Sequence, residues 1–594
     1  MGNDRDNLRG GSEGIGVNAR PTAALRCGDG WLLFSAPAAE LWARCPAEVP
    51  ALLAEVEEAA AAGLWAVGFV AYEAAPGFDA ALRVRPPGGA PLAGFALFSP
   101  PHRARRLPAG GGARRGSRGG EHPWLASDDS RSHAAAVARI RGAIACGDTY
   151  QVNYTFRLGS RFPGDPWGLF RRLMGEEPPP HAGYLELGPL ALCCASPELF
   201  FRLDGERLVS RPMKGTAPRG RWPAEDAARG RALLASPKER AENLMIVDMA
   251  RHDLGRVARP GSVTVEALFA LERYPTVWQL TSTVAARTAA PLGEVFRALF
   301  PAASITGAPK AAAMRLIAAL EGAPRGVYTG AFGWVGPGRR ASFAVAIRTA
   351  TVDRRRGRAE YGTGGGVVWD SEPAAEHAES LLKAQVLLSP PRRRWELLET
   401  MLWRPRRGIW LRRCHLERLR ASAAYFGFAL EEGAVRRALA RAVADLPPRR
   451  HRLRLRLARS GRLRVEAAAL PRRRRARWRV ALAAKPVDPG DPMLFHKTTE
   501  RRRYDAARSG APGADDVLLW NPRGELTEST VANLVVRRQG ELVTPPLDCG
   551  LLPGTLRAHL LARGAVREAV VRVEELPRLD ALWLVSSLRG WIPA

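Results

Sequence analysis

Pro390 and Pro391, in "LLSPPRRRW" (387–395), follow a helical pattern that cannot run on through two consecutive prolines. A chain of 594 residues is also too long for one hydrophobic core. Together these predict a linker at 389–394 with independent folding on either side. Ahead of it, 1–120 carries an Ala/Glu-rich helix at roughly 50–62, apolar strands such as "LWAVGFVAY", and a Gly/Arg/Pro-rich loop at 101–120. Residues 121–388 alternate helix and strand patterns, as in a large α/β or α+β domain. After it, 395–594 contains a strand meander, "DDVLLW", "GELTES", "NLVVRR" and "ELVTPP", punctuated by "NPRG" and "QG" turns.

The net charge of +30 invites a nucleic-acid partner. The arginines are scattered over the whole chain, and neither zinc-finger spacing nor an aromatic RNA-binding stretch accompanies them, so no nucleic-acid role is expected. The polar start "MGNDRDNLRGGSEG" has no apolar signal core, and no apolar run reaches membrane-spanning length. Seven cysteines at irregular spacings, Cys193 and Cys194 adjacent, form neither a disulfide framework nor a zinc pattern. A cytoplasmic protein that does not enter membranes is expected. Lysine occurs only six times among 89 basic residues, at 214, 238, 310, 383, 485 and 497. Where a lysine survives in so arginine-rich a chain, its chemistry is worth asking about.

Carboxylates pair on two helices. In "SPKERAENLMIVDMARHDLGRV" (236–257), Ser236 reads as an N-cap and Pro237 as the first helical residue, which puts Glu239 and Glu242 on one face. "DSEPAAEHAESLLKA" (370–384) starts a helix near Pro373 and puts Glu376, Glu379 and Lys383 on one face. Such pairs suit Mg²⁺, a hard cation that keeps several waters, and equally suit a solvated helix surface. "SITGAPK" (304–310) opens a helix with a possible anion site at its start, and "FAVAIRTA" (343–350) reads as one apolar strand interrupted by a buried Arg348. "YGTGGGVV" (361–368) can bring backbone close to a ligand as a nest of N–H groups, or be a simple turn.

These segments, with "GDTYQVNYTFRL" (147–158), "ASPELF" (195–200) and "SRPMKGTAPRG" (210–220), resemble the chorismate-utilising enzymes in order and detail over about 130–388. That family includes anthranilate synthase component I, aminodeoxychorismate synthase component I and the isochorismate synthases. The resemblance implies a large anthranilate-synthase-like α/β sandwich, with Mg²⁺ held by Glu239, Glu242, Glu376 and Glu379. It also implies substrate binding by Thr306, Arg348, Lys383 and the Gly364, Gly365 and Gly366 backbone. Lys214, in "PMKGT", resembles the aminodeoxychorismate branch, where the anthranilate branch carries alanine; in that branch the lysine is a nucleophile toward the chorismate ring. An arginine could not serve, because its guanidinium stays protonated. Many members carry histidine where Gln279 stands, and glutamine cannot act as an acid.

The last 200 residues hold "ELLETMLW", "RCHLERLRASAAYFGF", "MLFHKTTERRRYD", "GELTESTVANLVV" and "TPPLDCGLLPGTLR". This series is similar to the fold-type IV pyridoxal-phosphate enzymes, 4-amino-4-deoxychorismate lyase in particular, and implies an α/β unit of two subdomains able to dimerise. On that match Lys497 carries pyridoxal 5'-phosphate and Glu528 pairs the pyridinium nitrogen, while Arg418, the Thr555 and Leu556 backbone and Ser587 hold the phosphate. The two resemblances together imply 4-aminobenzoate synthesis for folate, with a separate glutamine amidotransferase subunit as ammonia source. The competing expectation is an anthranilate or secondary-metabolite synthase fused to a branched-chain or D-amino-acid transaminase.

Overall fold

The structure is a computed structural model and describes residues 20–108, 122–175, 177–388, 395–470 and 476–594. The 389–394 linker and the glycine- and arginine-rich stretch beyond residue 108 lie outside the described residues. The chain forms two compact units. One gathers Met1–Thr216, Leu233–Tyr274 and Gln279–Arg392; the other gathers Ala217–Ala232, Pro275–Trp278 and Arg393–Ala594.

The first unit is built on two sheets, each of ten strands among the described residues. Alternation explains how they stack, because successive side chains in a strand leave by opposite faces. Adjacent Cys193 and Cys194 show it. Cys194 enters the core between the sheets with Leu25, Phe34, Val67, Phe69 and Phe332, and Cys193 enters the outer core under helix Pro166–Met174 with Trp167 and Phe170. On the other outer face, helices Glu48–Ala61 and Leu292–Leu299 pack with Phe201 and Phe343. The result is a helix–sheet–sheet–helix sandwich, the α/β architecture expected.

Three local expectations change. "FAVAIRTA" is two strands, Arg340–Val345 and Thr349–Asp353, which belong to different sheets. Arg348 is the corner between them, at φ 50°, and is half-exposed rather than buried. A left-handed backbone at a non-glycine residue costs energy that the surrounding sheets must supply. The glycine run is neither nest nor turn: it lies within strand Arg358–Val367, paired residue for residue with strand Gln151–Arg161. Finally, His102–Ala104, read as part of a loop, pairs as a strand with Trp31–Leu33.

Among the described residues the second unit has a four-stranded sheet with Leu397–Arg404 and His451–Leu457 at its centre and an eight-stranded sheet, each over its own core. In the larger sheet Asp516–Trp520, Leu526–Ser529, Asn533–Arg538 and Glu541–Thr544 lie side by side in chain order. Tight turns allow little else, and the meander read from the sequence is the one observed.

Candidate active sites

In the first unit, Lys214 lies on strand Met213–Pro218, its backbone carbonyl held by Asn243 Nδ2 at 2.9 Å. Asn243 belongs to helix Pro237–Gly255, whose N-cap is Ser236 as expected. The same helix brings its carboxylates to this strand. Glu242 Oε2 is 3.5 Å from Lys214 Nζ, and an added Cβ at Gly215 would lie 3.2 Å from Glu239 Oε2. Helix Pro373–Leu388 supplies the second pair from across the glycine strand. Lys383 Nζ bonds Glu379 at 2.9 Å and the Gly364 carbonyl at 3.0 Å, and Ser371 Oγ donates to Glu376 at 2.7 Å.

The glycines are there for side-chain room. A Cβ at Gly366 would lie 2.5 Å from Lys214 Nζ and 2.7 Å from Gln151 Nε2; one at Gly365 would lie 3.2 Å from Glu376 Oε2. At Gly364 the obstacle is backbone, the Tyr154 carbonyl at 2.2 Å. The strand therefore leaves room for Lys214 and Gln151 at Gly366 and for the Glu376 carboxylate at Gly365.

Burial and the like charge of its neighbour raise the carboxyl of Glu239 beside Glu242, and that of Glu376 beside Glu379. Glu379 runs the other way: burial would raise it, but Lys383 and Lys214 hold it below the usual range. Among the described residues no three His, Cys, Asp or Glu side chains converge at metal-ligand distance. The donor set nevertheless suits Mg²⁺, which commonly takes one or two carboxylates and completes its shell with water. Burial is the first cause of both raised carboxyls and the like neighbour adds to it, with Lys214 countering at both and Lys383 at Glu376.

Thr306 is fully buried; its hydroxyl donates to the Ala302 and Ala303 carbonyls at 3.2 and 3.3 Å, its N–H to the Ala303 carbonyl at 3.3 Å, and its carbonyl accepts from the Asn153 N–H at 2.8 Å, so it is held within the fold rather than open to a ligand. Lys310 is a structural cation, paired with Asp253 at 2.9 Å. Gln279 accepts from Thr216 Oγ1 at 3.1 Å. Two residues had gone unassigned although their motifs were noticed. Glu198 of "ASPELF" is buried and pushed up to about 7, against a bond from Ser304 Oγ at 2.6 Å and the nearby Lys214 charge. Gln151 of "GDTYQVN" is fully buried, with neither amide atom partnered, beside Lys214. A buried amide without a partner is costly unless a ligand satisfies it. No sequence pattern distinguishes either residue from an ordinary polar side chain in a strand.

In the second unit, Lys497, Arg418, Glu528, Thr555, Leu556 and Ser587 all line one cavity of about 710 Å³. Enclosure lowers the Lys497 amine to about 8, with Arg418 and Arg501 adding to the effect. Burial raises Glu528 to about 7, opposed by the bond it accepts from Tyr504 Oη at 3.0 Å. Burial would also raise Glu399, but Arg418 and His415 overcome it and hold that carboxylate at about 2. Arg418 grips Glu399 through Nε and NH2 at 2.8 and 2.6 Å, and His415 Nδ1 meets it at 2.6 Å. Gly554 begins helix Thr555–Ala562, and a Cβ there would overlap Asn533 Oδ1.

A lysine near neutrality, an acid facing it, an anchored arginine and a helix N-terminus fit pyridoxal phosphate. The same cavity has an arginine wall, Arg452, Arg454, Arg508 and Arg589, which had not been anticipated. The alternation in "HRLRLRL" was the available signal, since it puts Arg452 and Arg454 on one face of strand His451–Leu457.

Residues 112–389 match the chorismate binding enzyme family, and residues 396–594 match amino-transferase class IV. The two matches lie in tandem, a chorismate-binding stretch followed by a class IV amino-transferase stretch, and the second implies pyridoxal phosphate. It is 47% identical over 249 residues to an aminodeoxychorismate synthase from Streptomyces griseus, which covers 41% of this chain and 34% of that protein. It is 42% identical over 277 residues to anthranilate synthase component 1 from Streptomyces coelicolor, 46% of this chain and 54% of that one. The chain thus spans between a third and just over a half of these curated relatives. The crystal structure of anthranilate synthase component I from Streptococcus pneumoniae aligns with TM-score 0.52 and 23% identity, over 64% of this chain and 95% of that one; it shares the fold. Among the described residues no helix is long and apolar enough to cross a membrane.

Proposed function

We propose that the chain makes 4-aminobenzoate in two steps, aminating chorismate to 4-amino-4-deoxychorismate in the first unit and eliminating pyruvate from it in the second. The observation that carries this reading is a lysine, Lys214, set against two carboxylate helices in one unit, together with the Lys497 cavity in the other. Either half alone would leave the product open.

In the first site, Glu239, Glu242, Glu376 and Glu379 would hold Mg²⁺, which would supply positive charge to neutralise a substrate carboxylate. Arg348, Lys383 and the Gly364–Gly366 strand receive the substrate's carboxylates. The Lys214 amine bonds to the ring as the C4 hydroxyl departs; ammonia then forms the C4–N bond as the lysine nitrogen leaves. Glu198 gives the departing hydroxyl its proton. Burial raises its carboxyl to about 7, so a substantial fraction keeps its proton near neutral pH and supplies the acid that Gln279 cannot. Gln151 offers its unpaired amide to the incoming nitrogen.

In the second site, Arg418, Thr555, Leu556 and Ser587 would hold the phosphate of pyridoxal phosphate, and Glu528 its ring nitrogen. The cofactor, when bound, supplies the electron sink for breaking the C4–H bond. Lys497 takes that proton, and the ring becomes aromatic as pyruvate leaves. The arginine wall suits a dicarboxylate better than the apolar side chain of a branched amino acid. Ammonia comes from a separate glutamine amidotransferase, and seven free thiols fit a reducing cytoplasm. Purified protein given chorismate, ammonium, Mg²⁺ and pyridoxal phosphate should release 4-aminobenzoate and pyruvate. Anthranilate as the aromatic product would overturn the reading.

A further inference from the structure

The compact second unit contains two segments that come from far back in the chain, Ala217–Ala232 and Pro275–Trp278, inside the stretch that matches the chorismate binding enzymes. Their contacts are specific. Arg219 makes a bidentate pair with Asp226 at 2.7 and 2.8 Å, with side chains only 5% and 7% exposed. The Arg219 guanidinium lies 4.4 Å from the Tyr425 ring and 5.4 Å from the Trp278 ring, and NH2 donates to the Tyr425 carbonyl at 3.0 Å. Tyr425 Oη returns a bond to the Gly220 carbonyl at 2.7 Å. Trp278 Nε1 donates to Asp226 Oδ1 at 2.9 Å, and Arg221 reaches Asp548 at 2.6 Å.

These contacts converge on one short piece of the class IV sequence, Phe495–His496, immediately ahead of Lys497. The Trp222 ring lies against Phe495 at 5.0 Å, tilted by 37°, and the Tyr425 ring against His496 at 4.4 Å, tilted by 34°. His496 is buried and bonds Ser422 Oγ at 2.9 Å, while the Lys497 carbonyl accepts from Leu398 at 2.9 Å. Rings packed around a desolvated cation make a stiff, directional contact, and a fully paired buried ion pair specifies one arrangement.

We propose that residues 217–232 with 275–278 are a strap, lent from within the first enzyme's sequence, that completes the class IV unit and positions the segment carrying Lys497. Arg219 and Trp222 are its anchors, and the surface that receives them is made by Tyr425, Phe495, His496 and Asp548. The two family-sized pieces of this chain are therefore not separable at 389–394.

The full-length chain, with a protease site in a Gly/Ser insert between Pro390 and Pro391, tests this. After cleavage the two pieces should elute together on size exclusion at micromolar concentration, and Arg219→Ala with Trp222→Ala should separate them. Pieces that part without any substitution, or that stay together with both, would overturn the strap. Tyr425→Phe removes only the hydroxyl that holds Gly220; it should weaken retention of the pieces without unfolding either one, and retention equal to that of the unsubstituted chain would count against the proposal.

Positioning has its own readout, which rests on the assignment of Lys497 above; the cleavage test does not. In the uncut chain Trp222→Ala should shift the visible band of bound pyridoxal phosphate and speed loss of the cofactor about tenfold, and Trp222→Phe, which keeps a ring on Phe495, should restore both. An unchanged band and unchanged retention in Trp222→Ala would remove the positioning role.

Discussion

Lys214 and Lys497 are the lysines proposed to react in their units, and their surroundings differ in charge. Lys214 faces four carboxylates on two helices and sits above glycines that leave it room. Lys497 sits in a cavity with Arg418 and Arg501 beside it and an arginine wall beyond. The first environment gathers cations; the second receives anions. The contrast teaches that what a lysine does is decided by the sign of the charge around it, which three-dimensional packing supplies and the residue itself does not.

The most severe way to break that contrast is to delete one lysine and see whether the other still works. Lys497→Ala should cut 4-aminobenzoate release by about 1000-fold or more while 4-amino-4-deoxychorismate accumulates, read by chromatography of the products. Undiminished 4-aminobenzoate would end the assignment of Lys497. Lys214→Arg keeps the positive charge among the carboxylates and removes the nucleophile. Amination should fall by about 1000-fold, and pyruvate release from supplied 4-amino-4-deoxychorismate should be unchanged. Amination surviving nearly intact would reduce Lys214 to a carboxylate-binding cation.

Glu198 sharpens the comparison through pH. Its raised carboxyl is protonated below about 7 and loses the proton as pH rises through that value, so amination should decline on the alkaline side. Glu198→Gln should lower the rate by about 100-fold and abolish that limb in a pH–rate profile. A profile of unaltered shape would move the acid elsewhere. The smallest effect is expected from Gly366→Ala, whose methyl meets the movable ends of Lys214 and Gln151; about tenfold slower amination, or ~1.4 kcal/mol, with an unchanged melting temperature is expected. Gly364→Ala, which meets backbone, should instead lower the melting temperature, and equal behaviour of the two would contradict the packing described.

Much of this was legible beforehand because it is local. Helix starts at Ser236 and near Pro373, the shared faces of Glu239 with Glu242 and Glu376 with Glu379, and the meander after residue 516 follow from periodicity and turn chemistry over a few residues. The glycine run misled because a glycine triplet in sequence says only that side chains are absent, not what occupies the space. "FAVAIRTA" misled because nothing in an apolar run marks where the chain leaves one sheet for another. Glu198 and Gln151 were invisible as functional groups, since burial beside Lys214 is what sets them apart.

By itself the sequence determined two family-like stretches in tandem, the elements that carry their motifs and the two lysines that stand out in them, because each is written in contiguous residues. Tertiary structure alone decided which charges surround each lysine, which glycine faces which side chain, and that residues 217–232 and 275–278 pack in a unit whose remaining residues are 393–594. The physical reason is that burial, field and steric room come from residues far apart in the chain. Arg219 shows it: a cation five residues from Lys214 in sequence pairs with Asp226 and lies over the Tyr425 ring that packs against His496.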